Sequence, residues 1–436
     1  MLALLCLPPS VCAQTADLSM EDAIQLALAH NRSIQLDVLD VARADANVKA
    51  ASTRRLPSFS VLADGGESLT RPYLDLTAGS LGTSGGAPFP QQALRLNSSR
   101  TPSAFVFGQV LEPLTGQYQL GLEIKALKVG HEISNLRMQR SQQEIVNQVR
   151  KLYCQIVDDD SAIKTAEADV RLYSELERVT KIYVAEKAAL LSDLLGIQGH
   201  LLHAKYDETS ASNTLATDKE ELNAVLGRPI EAEMTLDSDL GQELVLPSQA
   251  EAVERAMALR PDLKVAGLQV EQADLNRRAK KAEYIPDVSI EGSYVALTGA
   301  SLPIGGPGYA EVGVQLRWEP FDWGRKHHEL AEKSAIVSQA RLNATDLQAK
   351  MSIEVNLALR NARAASQLLQ AEKIDAEGTD EALRIAQEKY AQHAVLLDEV
   401  LKLESIRQRT RQSLLQASSS VQTTYAELRK AMGEDE

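Results

Sequence analysis

Seven histidines and three cysteines give the chain few places where chemistry could occur. His200 and His203 stand three apart, which on a helix sets them on one face. His327-His328-Glu329 is a second local cluster. Neither has the spacing of a zinc hydrolase, where two histidines at i and i+4 flank a glutamate. Solvated helix faces are the simpler reading of both, and no metal or cofactor is expected. The sequence has no G-x-x-x-x-G-K-[ST] loop to cradle nucleotide phosphates, so any energy must come from a partner. Cys6 and Cys12 fall within the first 13 residues, and Cys154 is then a lone thiol in a helical pattern, without an internal partner. No catalytic constellation emerges, and the chain is not expected to be an enzyme.

The elements around these residues are more telling. A net charge of -14 argues against a general nucleic-acid binder. Windows 57–121 and 286–324 hold 16 of 24 Gly, 10 of 15 Pro and both Trp. Residues 114–228 and 321–436 contain no Pro. A short breaker-rich part followed by a long helical part therefore occurs twice. Shifting the sequence by 229 lays AIQLALAHNRSIQL over AVERAMALRPDLKV and Pro57 on Pro286. Later the offset is 206, and Asp193 meets Glu399, Leu222 meets Leu428 and Gly227 meets Gly433. This is an internal duplication.

Residues 1–13, MLALLCLPPSVCA, are apolar and uncharged and end in small residues, as a signal peptide does, though the usual basic opening is missing. Export is expected. Pro9-Ser10-Val11 before Cys12 is a poor lipobox, so lipidation is not. The first repeat spans 14–228, with a helix over 20–56, strands near 57–64 and 103–112, and long helices over 117–184 and 190–226. A linker over 229–248 leads to the second repeat, 249–436, with a helix over 249–284, strands near 286–297 and 309–319, and long helices over 325–390 and 395–432. Val288, Ile290, Tyr294 and Ala296 alternate with Asp287, Ser289, Glu291 and Ser293, the period of a half-buried strand. Phe59, Val61, Ala63, Phe105 and Phe107 suggest the same in the first copy. Ile145, Val149, Leu152, Ile156, Ile163, Ala166, Val170 and Tyr173 form a coiled-coil seam that Asp159 interrupts. The fold class is mainly α with a small β part, a duplicated helix, β-hairpin and long helical hairpin. No run of apolar residues reaches the ~18 of a spanning helix. If the strands lie in lipid, every edge must be paired. Four strands cannot close alone; two chains give eight and three give twelve.

This order of elements resembles the TolC-like outer-membrane factor family, also called outer membrane efflux proteins. The resemblance is carried by LSMEDAIQLALAHN (18–31), Pro57, EPLTG (112–116), LLSDLL (190–195), LNAVLGRPI (222–230), EPFDWGR (319–325) and LLDEVL (396–401). It covers nearly the whole chain after residue 13. It implies a homotrimer whose α-barrel continues into a twelve-stranded β-barrel in the outer membrane. It further implies an exit duct that serves an inner-membrane pump of RND, ABC or MFS type through a periplasmic adaptor, a membrane fusion protein. Tripartite efflux and type I secretion both remain open.

The resemblance places a periplasmic tip at the turns near 184–195 and 390–401. The family usually has an aromatic there, a glycine three residues on and an acidic residue nine on. Tyr390 fits the aromatic position, and Val184 replaces it in the first copy. Lys187 and His393 stand where glycine is usual. Asp193, Asp398, Glu399 and Tyr390 are the candidate periplasmic gate; three copies of the carboxylates would favour cations. Lys187, Ala188, Ala189, Leu190, His393, Ala394, Val395 and Leu396 are the candidate adaptor contacts. Trp318, Phe321 and Trp323, in a chain with only 4% aromatics, read as part of an interfacial girdle against outer-membrane lipid.

Overall fold

The fold is described from a computed structural model covering residues 18–67, 69, 73–97, 103–237, 245–298, 308–392 and 394–434. The expected leader lies outside the described residues. The first copy runs α1 (Met20–His30), α2 (Arg32–Thr53), β1 (Ser58–Gly66), β2 (Tyr73–Leu76), β3 (Thr83–Ser84), β4 (Ala87–Pro88), β5 (Leu94–Asn97), β6 (Ser103–Pro113), α3 (Gly116–Ala185) and α4 (Leu191–Leu226). The second runs α5 (Gln249–Leu259), α6 (Pro261–Ala282), β7 (Asp287–Thr298), β8 (Gly308–Arg317), α7 (Arg325–Ala391) and α8 (Leu397–Met432). The chain divides into two compact units. One holds residues 1–42, 132–267 and 341–436, and the other 43–131 and 268–340.

The helical unit has two apolar cores that repeat each other. Ala23, Ala27, Val149, Tyr153, Leu222 and Leu226 are buried in the first. Ala252, Ala256, Met351, Val355, Leu428 and Met432 are buried in the second. The alanines differ by 229, and Leu222 and Leu226 precede Leu428 and Met432 by 206, the two offsets of the sequence repeat. Small residues on α1 and α5 let these helices approach closely. The Tyr153 hydroxyl sits 2.9 Å from the carbonyl oxygens of both Leu18 and Asp237, which satisfies the one polar atom it brings into the core.

The single long helix expected at 20–56, and again at 249–284, is in fact two. Asn31 leaves the helical region at ψ 130°. Its Oδ1 accepts the Ser33 and Ile34 amides, while its Nδ2 donates to the Val225 carbonyl at 2.8 Å. An asparagine that can cap the next helix competes with helix continuation. In the second copy Arg260 breaks at ψ 122°. Pro261 follows it, disfavouring the helical conformation before it and fitting the first turn of α6 after it. Arg260 reaches the Ala431 carbonyl at 3.1 Å. Asn31 and Arg260 are 229 apart, Val225 and Ala431 are 206 apart. The duplication thus keeps a contact whose residue types have diverged.

The strand-bearing unit contains a four-stranded antiparallel sheet in the order β1-β6-β7-β8. Between β1 and β6, where no strand was expected, β2 pairs with β5 and β3 with β4. Within this unit the start of α3 adjoins one end of the sheet. There the Thr115 hydroxyl donates to the Pro286 carbonyl at 2.8 Å and accepts the Val288 amide at 2.7 Å.

Candidate functional site

The strand register assigns every residue of the sheet to a face. One face carries Phe59, Val61 and Ala63, then Val106, Gly108 and Val110, then Ile290, Gly292 and Tyr294, then Ala310, Val312, Val314 and Leu316. It is apolar and open: Val61 is 75% and Val312 81% exposed. The other face carries Ser60, Gln109, Ser293 and Glu311 in one row, with Ser289, Glu291 and Gln315 near it. Gln109 donates to Glu291 across this face at 2.5 Å. A water-soluble sheet hides its apolar side, and this one presents it.

Two expectations change here. The strands are not half-buried on their apolar side, because among the described residues nothing covers it. Phe105 and Phe107 also lie opposite Phe59 and Val61, since Val61 pairs with Gly108 and Leu62 with Phe107. Among the described residues of the single chain, the terminal strands β1 and β8 each leave one edge of the sheet unpaired. Beyond β8, Trp318, Phe321 and Trp323 are all exposed, and the last two touch edge to face at 4.9 Å. Trp323 takes a left-handed φ of 57° in the turn before α7.

In the helical unit, side chains order the long helices. Gln198 on α4 bonds Glu177 on α3, and His200 stacks on Tyr173 at 5.3 Å. His200 is therefore packed against a ring. Asp158 and Asp169 on α3 bond Ser419 and Arg409 on α8 at 2.7 and 2.6 Å. Asp380 on α7 pairs with Arg407 on α8 at 2.5 Å. The order is thus α4, α3, α8, α7. Each flanking helix keeps an exposed apolar stripe. On α4 it is Leu191, Leu195, Leu202 and Tyr206, at heptad spacing. On α7 it is Leu342, Ile353, Leu357, Leu368, Ile374 and Ile385, which share one side at 3.6 residues per turn.

The two tips are built alike. The Ala188 amide reaches the Tyr183 carbonyl at 2.8 Å, and the Ala394 amide reaches Lys389 at 2.9 Å. In the first tip Lys187 has φ 63°, the left-handed position glycine favours, and its amide bonds Val184. Leu190 and Leu396 then occupy the N-cap positions of α4 and α8, without a side-chain cap and largely exposed. Leucine is a poor N-cap, so its use in both copies is not explained by helix formation. The Asp193 carboxylate accepts the Leu190 amide at 3.3 Å, a local capping role. Glu399 is exposed, as are Ala188 and Ala394, while Ala189 and Val395 are half-buried. Tyr390 is partly exposed. His393 lies outside the described residues, and only the backbone of Asp398 is described.

Sequence reasoning passed over one electrostatic feature. Asp159 faces Asp218 of α4, and its pKa is pushed up to about 7, first by burial and then by the neighbouring Asp218 carboxylate. Its place as an interruption of the seam was the available signal. Among the described residues, no three His, Cys, Asp or Glu side chains are grouped to hold a metal, and no helix is long and apolar enough to cross a membrane.

The model of the outer membrane efflux protein family matches residues 252–434. The match covers 183 of 436 residues, and that segment is similar to the family. Three solved structures extend the likeness to the rest of the chain. CusC, whose structures concern folding and transmembrane channel formation, matches at TM-score 0.74 and 19% identity, covering 100% of both chains. The CmeC outer membrane channel of Campylobacter jejuni matches at 0.77 and 15%, covering 95% of this chain and 85% of its own. The MtrE outer membrane channel of Neisseria gonorrhoeae, solved in its open state, matches at 0.74 and 19%, covering 96% and 90%. At these identities the likeness establishes the fold, which is that of outer-membrane channels. No curated protein matches in sequence. The family and these structural neighbours are channels, not enzymes.

Proposed function

We propose that three copies of this chain form an outer-membrane exit duct of a tripartite efflux or type I secretion system. In this reading the three sheets close a twelve-stranded β-barrel, and the long helices form a periplasmic α-barrel. The observation that carries it is the sheet itself, with an exposed apolar face, a polar face, and an unpaired edge at each end. In lipid an open edge costs several kcal/mol per unsatisfied group, and closure removes it. The apolar face then meets lipid, the polar face lines the lumen, and Trp318, Phe321 and Trp323 sit at the interface. The stripes on α4 and α7 flank the chain's four long helices, where neighbouring copies would cover them.

The leucines at the tips support a docking role. Leu190 and Leu396, with Ala188, Ala189, Ala394 and Val395, form the contact for a periplasmic adaptor, which links the duct to an inner-membrane pump. Lys187 and, from its place in the sequence alone, His393 are assigned to the same contact. Asp193, Asp398 and Glu399, with Tyr390, are assigned to the gate, and three copies of each carboxylate favour cations. The test is reconstitution of protein extracted from outer membranes into planar bilayers. The reading expects discrete, cation-preferring channels. Protein that inserts without conductance would contradict the duct.

A further inference from the structure

The inner face of the sheet is not uniformly polar. Toward the helices its rows are Ser58, Leu111, Glu291 and Gly313, then Ser60, Gln109, Ser293 and Glu311. The next row outward is Leu62, Phe107, Val295 and Tyr309, apolar or aromatic on all four strands, and Phe105 stands one row beyond Phe107. A lumen-facing row should be polar. This one lies at the end of the sheet away from the helices, from which the β2–β5 ribbon emerges.

The ribbon has a matching anomaly. Leu74 pairs with Leu96 and Leu76 with Leu94, so all four leucines share one face. Leu74, Leu94 and Leu96 are exposed. On the other face Arg95 bonds Asp75 at 2.7 Å and lies 4.5 Å over the Tyr73 ring, which leaves that side charged but satisfied. A two-stranded ribbon alone is marginally stable, and a leucine face gains stability only if something covers it.

We propose that in the trimer the three ribbons fold into the barrel mouth and lay their leucine faces on the Leu62–Phe107–Val295–Tyr309 collar, forming an apolar closure at the outer end of the duct. This rests on the barrel reading above. Two observations favour this occupant over the outer leaflet of the membrane. The ribbon is carried by β1 and β6, the strands that bear Leu62 and Phe107. The collar is itself an uncovered apolar surface, which a ribbon lying on lipid would leave facing water. The distances allow it. Strands ~4.8 Å apart and tilted by ~40° put a twelve-stranded backbone about 12 Å from its axis. Six residues connect Gly66 to Tyr73, a span of up to about 20 Å. While the ribbons lie on the collar, an apolar ring excludes water and with it ions, and the duct conducts when they lift.

The test uses the full trimer carrying Leu96→Cys and Phe107→Cys, treated with a short bis-maleimide. Cys154 will not compete, because it is buried and its thiol is pushed up to about 12. The expected result is a cross-link between the two positions with loss of conductance in planar bilayers. The companion variant Leu74→Ser, Leu94→Ser and Leu96→Ser should conduct more than the wild type. Absence of a cross-link, or unchanged conductance in the serine variant, would overturn the closure. So would quenching of a fluorophore at Leu96→Cys by nitroxide lipid, which would place the ribbon on the membrane. Native mass, read on the same samples, separates the two levels of the argument. Trimers without the cross-link refute the ribbon alone, whereas a loss of trimers in the wild type refutes the barrel.

Discussion

Replacing Gly227 or Gly433 by alanine should damage the protein in the same way and by a similar amount. Both residues end long helices in the left-handed region, at φ 72° and 76°. A Cβ at Gly227 would stand 2.5 Å from the His30 carbonyl oxygen, and one at Gly433 2.8 Å from Arg260 Cα. Left-handed strain costs an L-residue ~1–2 kcal/mol. Forcing a methyl into a packed contact adds ~1–3 kcal/mol. The expected loss is about 2–5 kcal/mol at either site, visible as a drop of several degrees in the trimer's heat-dissociation temperature. Gly196 and Gly199 provide the control. Both lie within α4, and a Cβ there would meet nothing within 4 Å. Alanine at those positions should be neutral or add up to ~1 kcal/mol. If Gly227→Ala and Gly433→Ala dissociated at the same temperature as Gly196→Ala, the close approach of helix ends to His30 and Arg260 would be wrong in both copies.

Other outcomes follow from the same geometry. A carboxyl whose pKa is raised on folding holds a proton that the unfolded chain loses at lower pH, so Asp159 lowers stability progressively from about pH 4 to its native pKa of about 7. Asp159→Asn should flatten that slope in melting curves taken across the window, and it should be more stable than wild type at pH 8. Leu195→Glu and Leu202→Glu place charges on the exposed α4 stripe, and native mass should show loss of trimers while circular dichroism stays helical. Neutralising the proposed gate as Asp193→Asn, Asp398→Asn and Glu399→Gln should reduce cation preference, read as a shift in reversal potential under a salt gradient. Unchanged preference would reduce Asp193 to its capping bond with Leu190.

Much of the fold was legible because duplication writes every signal twice. Pro57 and Pro286 stop helices, Gly227 and Gly433 cap them, and the offsets of 229 and 206 return in the two cores. The helix break at Arg260 was signalled by Pro261, although the helix was expected to run through it. The break at Asn31 was not, because asparagine ends a helix only when its side chain finds partners, here Ser33, Ile34 and the distant Val225. The faces of β7 and β8 could be read from alternation, but those of β1 against β6 depend on register, which no local pattern fixes. That is why Phe105 and Phe107 appeared to continue the face of Phe59. At the tips, Lys187 standing where the family uses glycine was visible in sequence. Its left-handed backbone was not, since only the closing hydrogen bonds of the turn require it.

The central claim is that the sheet closes only between copies. The most direct measurement is the detergent-corrected mass of the protein extracted from outer membranes, by light scattering or native mass spectrometry. Three protomers, about three times 47.5 kDa before removal of a leader, is the predicted result. A soluble monomer or dimer absent from the membrane fraction would contradict it, because the open edges and apolar face of the sheet would then have no lipid to explain them.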